Sequence, residues 1–189
     1  GSTGRALTLL TRLIDLSREN HDMKGLADAY AMLGCAVYPT IGDTENAIMC
    51  LQESIDICER IGDLSHAVRN AVFLGHIYLR QGLVRKAEDC LRATERYAET
   101  AQVRGWLEAF VARFRADVHI ARQDYATAVE GLVALGPMQG DETAGLYPAA
   151  TVNLAIGDIV QAADLLDRVQ TLGGAQWHML TTYEKAYGS

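Results

Sequence analysis

The chain has 189 residues, 49% of them hydrophobic and 22% charged, with only three prolines, a composition that excludes disorder as the main state and fits one or two folded domains. Its 24 acidic against 17 basic residues leave a net charge of −7, which disfavours a dedicated nucleic-acid module, because such binding draws on clustered Lys and Arg. No apolar run approaches the roughly 20 residues of a membrane span, and the N-terminus lacks a signal-peptide pattern, so a soluble, cytoplasmic protein with no membrane partner is expected.

Gly1-Ser2 reads as a cloning remnant, and residues 5–20 open at once into an amphipathic helix, so the chain is expected to begin part-way through a repeating unit. The first full copy, over 23–62, contains LGCAVYPTIGDTENAIMCL, with marks at Leu33-Gly34, Tyr38, Gly42, Ala47 and Leu51. The second, over 63–101, contains LGHIYLRQGLVRKAEDCL, with marks at Leu74-Gly75, Tyr78, Gly82, Ala87 and Leu91. Gly34 and Gly75 are 41 residues apart and the Ala and Leu marks 40 apart, and the first copy carries one extra residue between Gly34 and Gly42. Residues 104–136 form a third copy that keeps Ala128 and Leu132 but has Ala116 in place of glycine. Residues 141–172 form a fourth, with Ala150, Gly157, Ala162 and Leu166, and Ala6 and Leu10 repeat the same marks in the first helix. The last segment, 175–187, follows Gly173-Gly174 and includes Trp177 and Met179; it reads as a capping helix or a partial repeat.

Small residues at Gly34, Gly75, Ala116 and Ala150, and again at Ala47, Ala87, Ala128 and Ala162, predict that the two helices of each hairpin approach closely. Gly62-Asp63 and Gly173-Gly174 predict helix stops between hairpins, and Gly42-Asp43 and Gly157-Asp158 predict turns within them.

The pattern L-G-x-x-Y-x-x-x-G-x-x-x-x-A from Leu74 to Ala87 resembles the tetratricopeptide repeat. That resemblance implies an all-α fold, a right-handed α-solenoid of antiparallel helical hairpins, working as a non-catalytic module that holds a protein or peptide in its concave groove. The spacing near 40 residues, with second helices ending as in Glu59 to Asp63, is similar to the subclass in large bacterial signal-responsive regulators related to the maltose-regulator activator. Such a chain would be the sensor or scaffold segment of a larger regulator; the spacing also admits eukaryotic adaptors of the kinesin-light-chain or polarity-scaffold type. Alternatives of another kind are a small-molecule-sensing solenoid and a structural self-association scaffold.

No phosphate-binding loop, HExxH, nucleophile elbow or dinucleotide fingerprint occurs, so neither an enzyme nor a cofactor is expected. His21, His66, His76, His119 and His178 are scattered, and Cys35, Cys50, Cys58 and Cys90 are separated by 15, 8 and 32 residues, which predicts buried free thiols rather than a metal site. The acidic pairs Asp15/Glu19 and Glu95/Glu99 read as solvated helix faces.

A solenoid's concave face is built from the first helix of each hairpin. On the second hairpin Arg69, Val72, Phe73, His76 and Arg80 are expected to face inward, with Arg69, Phe73, His76 and Arg80 spaced 4, 3 and 4 as one helical stripe. Phe110, Arg113 and Asp117 fall on the matching stripe of the third; Asp28, Ala31, Cys35 and Tyr38 on that of the first; Ala144, Tyr147, Thr151 and Leu154 on that of the fourth. Arginines among aromatic rings suit a carboxylate and an apolar group of a peptide, or of another domain of the same parent protein. The alternative is that Phe73, Phe110 and Phe114 are core and that Arg69, Arg80 and Arg113 pair with neighbouring acids. Where tail-binding relatives carry a Lys/Asn clamp, this chain has Val72 and His76, then Arg113 and Asp117, so a chaperone tail is not the expected ligand.

Overall fold

A computed structural model describes residues 2–135 and 145–172, and every regular element among them is helical. In chain order these are α1 (Ser2–Glu19), α2 (Met23–Met32), a π-helical segment (Leu33–Val37), α3 (Tyr38–Thr40), α4 (Thr44–Ile61), α5 (Leu64–Arg80), α6 (Val84–Thr100), α7 (Trp106–Ala121), α8 (Tyr125–Ala134), α9 (Leu146–Ile156) and α10 (Ile159–Leu172). The segment expected to cap or extend the array, with Trp177 and Met179, and the Gly173-Gly174 stop lie outside the described residues, as does Ala144. No helix among the described residues is long and apolar enough to cross a membrane.

The ends of the helices follow from local chemistry. Asp22, Asp43, Asp63 and Asp124 each stand at an N-cap and accept a hydrogen bond from the backbone N–H three residues on, at 2.9, 3.2, 3.4 and 3.4 Å. Gly62 ends α4 in the left-handed conformation, φ +75°, and the Asp63 N–H returns to the Cys58 carbonyl, so one Gly-Asp pair stops a helix and caps the next. The extra residue between Gly34 and Gly42 is absorbed as the π-helical turn: the Tyr38 N–H reaches back five residues to the Leu33 carbonyl. Pro39, which has no N–H to donate, stands in the short helix that follows.

The molecule divides into two compact units, residues 1–114 and 115–189. In the first, α1 packs on α2, α2 on α4, α4 on α5 and α5 on α6. The buried positions of α6, namely Ala87, Cys90, Leu91, Thr94 and Tyr97, recur every three or four residues, the signature of a helix that buries one face. Ala47 and Ala87 are wholly buried, which allows the close approach the pattern predicts. At Gly34 an added Cβ would lie 2.9 Å from the Ala47 carbonyl oxygen and 2.7 Å from Leu51, so the π-helical segment and α4 meet there with no room for a side chain. Gly75 makes a further close approach outside its own hairpin: a Cβ there would meet the Phe114 ring of α7, at 2.0 Å. Side chains such as Leu51, Ile57, Val68 and Val72 are 0 or 1% exposed, each contributing about 1.5–3 kcal/mol by burial.

A polar path runs through this core. The Ser54 hydroxyl donates to the Ala27 carbonyl at 2.7 Å and accepts from the Asn70 amide at 2.9 Å, tying α2, α4 and α5 together. In the second unit α9 packs on both α8 and α10 around Ala116, Ala128, Leu132, Ala149, Ala150 and Leu165. Gly157, φ +83°, makes the turn between α9 and α10.

Candidate functional site

Helix α5 carries the candidate stripe. Val72, expected to face the groove, is fully buried instead, as is Ala31 on the first hairpin; a helix packed on both sides leaves only a narrow strip accessible. Of the stripe on α5, Arg69, Phe73 and His76 are half-buried and Arg80 is exposed.

Phe73 meets Phe110 of α7 edge-on, with ring centroids 5.6 Å apart. His76 lies 5.0 Å from Phe114 and 6.4 Å from Phe110, again with tilted rings. Such arrangements set the positive edge of one ring against the face of the next. Phe114 is completely buried, and the missing side chain at Gly75 is what admits its ring. The alternative that these aromatics are core therefore holds for Phe114, while Phe73 and Phe110 remain partly accessible. Trp106 extends the cluster outward, 6.3 Å from Phe110 and 65% exposed. The sequence reading did not single out Trp106, yet Trp106, Phe110 and Arg113 follow a 4, 3 spacing that would have found it.

Two guanidiniums flank the aromatic strip on α5. Neither Arg69 nor Arg80 forms an ion pair among the described residues. Arg69 lies close enough to Cys35 and Cys58 for its charge to oppose the rise that burial imposes on both thiols. Arg80 lines a second cavity of about 250 Å³ together with Pro39, Thr44, Ile77 and Gln81.

The remaining candidates are dispersed. Tyr38 packs half-buried against the core formed by Leu10, Ile14, Leu33 and Val37, and burial, the largest cause, raises its phenol above the usual range. Arg113 is exposed on α7, whereas Asp117, half-buried on the same helix, belongs to the second unit. Tyr147 lies in α9, its side chain outside the described residues. In that helix Thr151 donates to the Pro148 carbonyl at 2.7 Å, and Leu154 is half exposed.

Cys50, Cys58 and Cys90 are buried and Cys35 half-buried, and all four are free. Burial pushes the Cys50 thiol up to about 11 and the Cys90 thiol to about 12, which keeps both protonated and unreactive at neutral pH. No cluster of three or more His, Cys, Asp or Glu among the described residues is arranged to hold a metal ion. What the stripe on α5 and α7 can do is bind: guanidiniums for an anion, ring edges and an exposed indole for an apolar group.

No known family model matches this chain, and no curated protein matches it significantly.

Proposed function

We propose that this chain is a non-catalytic, tetratricopeptide-like array of helical hairpins, a right-handed solenoid whose first helices form a groove for a protein or peptide partner. In this reading it is the sensor or scaffold segment of a larger cytoplasmic bacterial regulator. The observation that carries the binding role is the α5–α7 strip, where Arg69 and Arg80 have no carboxylate partner among the described residues and stand beside an aromatic row ending in the 65%-exposed Trp106. A protein with seven excess negative charges has acids to spare, so two arginines on one face that pair with no acid among the described residues favour an external anion. Four free cysteines, three of them buried, support a reducing compartment.

The test compares wild type with Arg69→Ala/Trp106→Ala in affinity capture from source-organism lysate, after both are shown to be equally helical. Proteins held by wild type and lost from the variant are then purified and titrated, with a loss of at least about tenfold expected from removing a charge and an aromatic anchor together. Equal retention would return the strip to a packing role. The cavity beside Arg80 favours a second reading, a small anionic metabolite; dialysed protein that gains thermal stability from a metabolite panel, and loses the gain in Arg80→Ala, would support it.

A further inference from the structure

The larger cavity lies on the other side of α5. At about 100° per residue, Ala71, Leu74 and Tyr78 point about 160° away from the Arg69–Arg80 stripe. They floor a groove of about 300 Å³ whose walls are α4 and α6. Small side chains open it: Ala71 below and Cys90 and Ala93 on the α6 wall leave space that larger residues would fill. Along α6 the lining runs from Lys86 to Tyr97, eleven steps of the helix, about 16 Å and room for about five residues of extended chain.

The lining mixes apolar surface, tyrosine faces, two carboxylates and one ammonium, Lys86. Ile55 and Leu74 give an apolar floor, while each wall carries a carboxylate at its edge, Asp56 on α4 and Asp89 on α6. Asp89 pairs with Arg92 of its own helix; Asp56 forms no ion pair among the described residues. Both tyrosines already face cations. The Lys86 ammonium stands 5.3 Å from the Tyr78 ring centre, and the Arg96 guanidinium 5.1 Å from that of Tyr97. Tyr97 also donates its hydroxyl to the Glu59 carboxylate, adding a third acid at that end. An anionic occupant would meet Asp56 and Asp89, and a wholly apolar one would strip water from them without compensation. A long cationic side chain fits, with its methylenes on Ile55 and Leu74 and its charge at the rim by Asp56, which has no ion-pair partner among the described residues.

We infer that the α4–α6 groove is a second binding site, separate from the α5–α7 strip, that receives an arginine side chain from an extended segment of a protein partner. Lys86, which holds the Tyr78 face in the free protein, competes with it.

The probe is an acetylated, amidated pentapeptide with a central arginine between alanines and terminal leucines, compared by titration with its citrulline and glutamate counterparts. The arginine peptide is expected to bind at least about fivefold more tightly than the citrulline one. Asp56→Asn is expected to weaken it about two- to fivefold, the scale of a solvent-exposed charge pair. Lys86→Ala is expected to strengthen it by a similar factor, a gain that disruption of the fold would not produce. Ala93→Leu, which fills the groove, is expected to abolish binding, whereas Arg69→Ala leaves it unchanged. Equal affinity for arginine and citrulline peptides, no binding of either, or arginine binding indifferent to both Asp56→Asn and Lys86→Ala would overturn the assignment.

Discussion

Gly75→Ala offers a direct check on how α5 and α7 pack. In an open helix the change stabilises by about 0.8–1 kcal/mol, because alanine loses less backbone entropy on folding. At Gly75, however, the new Cβ would sit 2.0 Å from Phe114 Cζ and 2.6 Å from Cε2. Ordinary carbon–carbon separations are about 3.5–4.0 Å, so the ring must retreat by about 1.5 Å. Phe114 is completely buried, and overpacking of such a site costs about 1–3 kcal/mol, occasionally more. The net expectation is a loss of up to about 2 kcal/mol, or up to roughly 8 °C in melting temperature at about 2–4 °C per kcal/mol. Gly131, inside α8 with no heavy atom of another element among the described residues within 4 Å of its would-be Cβ, is the control: the same substitution there should stabilise by about 0.5–1 kcal/mol. Urea and thermal unfolding followed by circular dichroism measure both. Adding Phe114→Leu to Gly75→Ala removes the clashing Cζ and should give a coupling energy of at least about 1 kcal/mol in a double-mutant cycle. If Gly75→Ala stabilised the protein as Gly131→Ala does, the packing of Phe114 against Gly75 would be refuted.

Three further outcomes follow from the same geometry. Burial, the largest single influence on Asp63, would raise its carboxyl, but hydrogen bonds from the His66 ring and backbone N–H and from Lys24 together outweigh it and hold the group below the usual aspartate value. Because its folded-state value is depressed, its contribution is present above the unfolded value of about 3.9 and is lost as pH falls through the lower folded value; Asp63→Asn should flatten the acid limb of a stability–pH curve below about pH 4 and lower stability at neutral pH. Ser54→Ala leaves the Asn70 amide without its acceptor in a site 1% exposed, and a loss of about 1–3 kcal/mol is expected in urea unfolding, with Ser54→Ala/Asn70→Leu costing less than the sum of the two single changes. With a thiol reagent at neutral pH and peptide mapping, half-buried Cys35 should be labelled before Cys50, Cys58 and Cys90, and all four should react alike in denaturant; early labelling of Cys90 would contradict its burial and its thiol value of about 12.

Much of the helical framework was legible because it is local. The Gly-Asp pairs at 42–43 and 62–63 mark both a left-handed glycine and the aspartate that caps the next helix, and each effect needs only a few consecutive residues. The extra residue in the first copy also had a local outcome, a wider helical turn at Leu33–Val37. The candidate site was less legible. Spacing placed Arg69, Phe73, His76 and Arg80 on one face of α5, but it also placed Val72 there, and only the neighbouring helices decided that Val72 is buried. Tyr38 shared the motif position of Tyr78, yet it packs into the core around Leu10 and Val37 while Tyr78 floors the α4–α6 groove.

By itself, then, the sequence determined where helices begin and end and which side of each is apolar, since capping, glycine conformation and a period of 3.6 residues act within one or two turns. The tertiary structure alone decided what meets those sides: that the space at Gly75 is taken by Phe114 of α7, that Trp106 stands 65% exposed at the end of an aromatic row, and that small residues on three helices leave a groove ringed by Asp56, Asp89 and two tyrosines. Those outcomes depend on distances between residues tens of positions apart, where burial and steric fit outweigh any preference a single helix can encode.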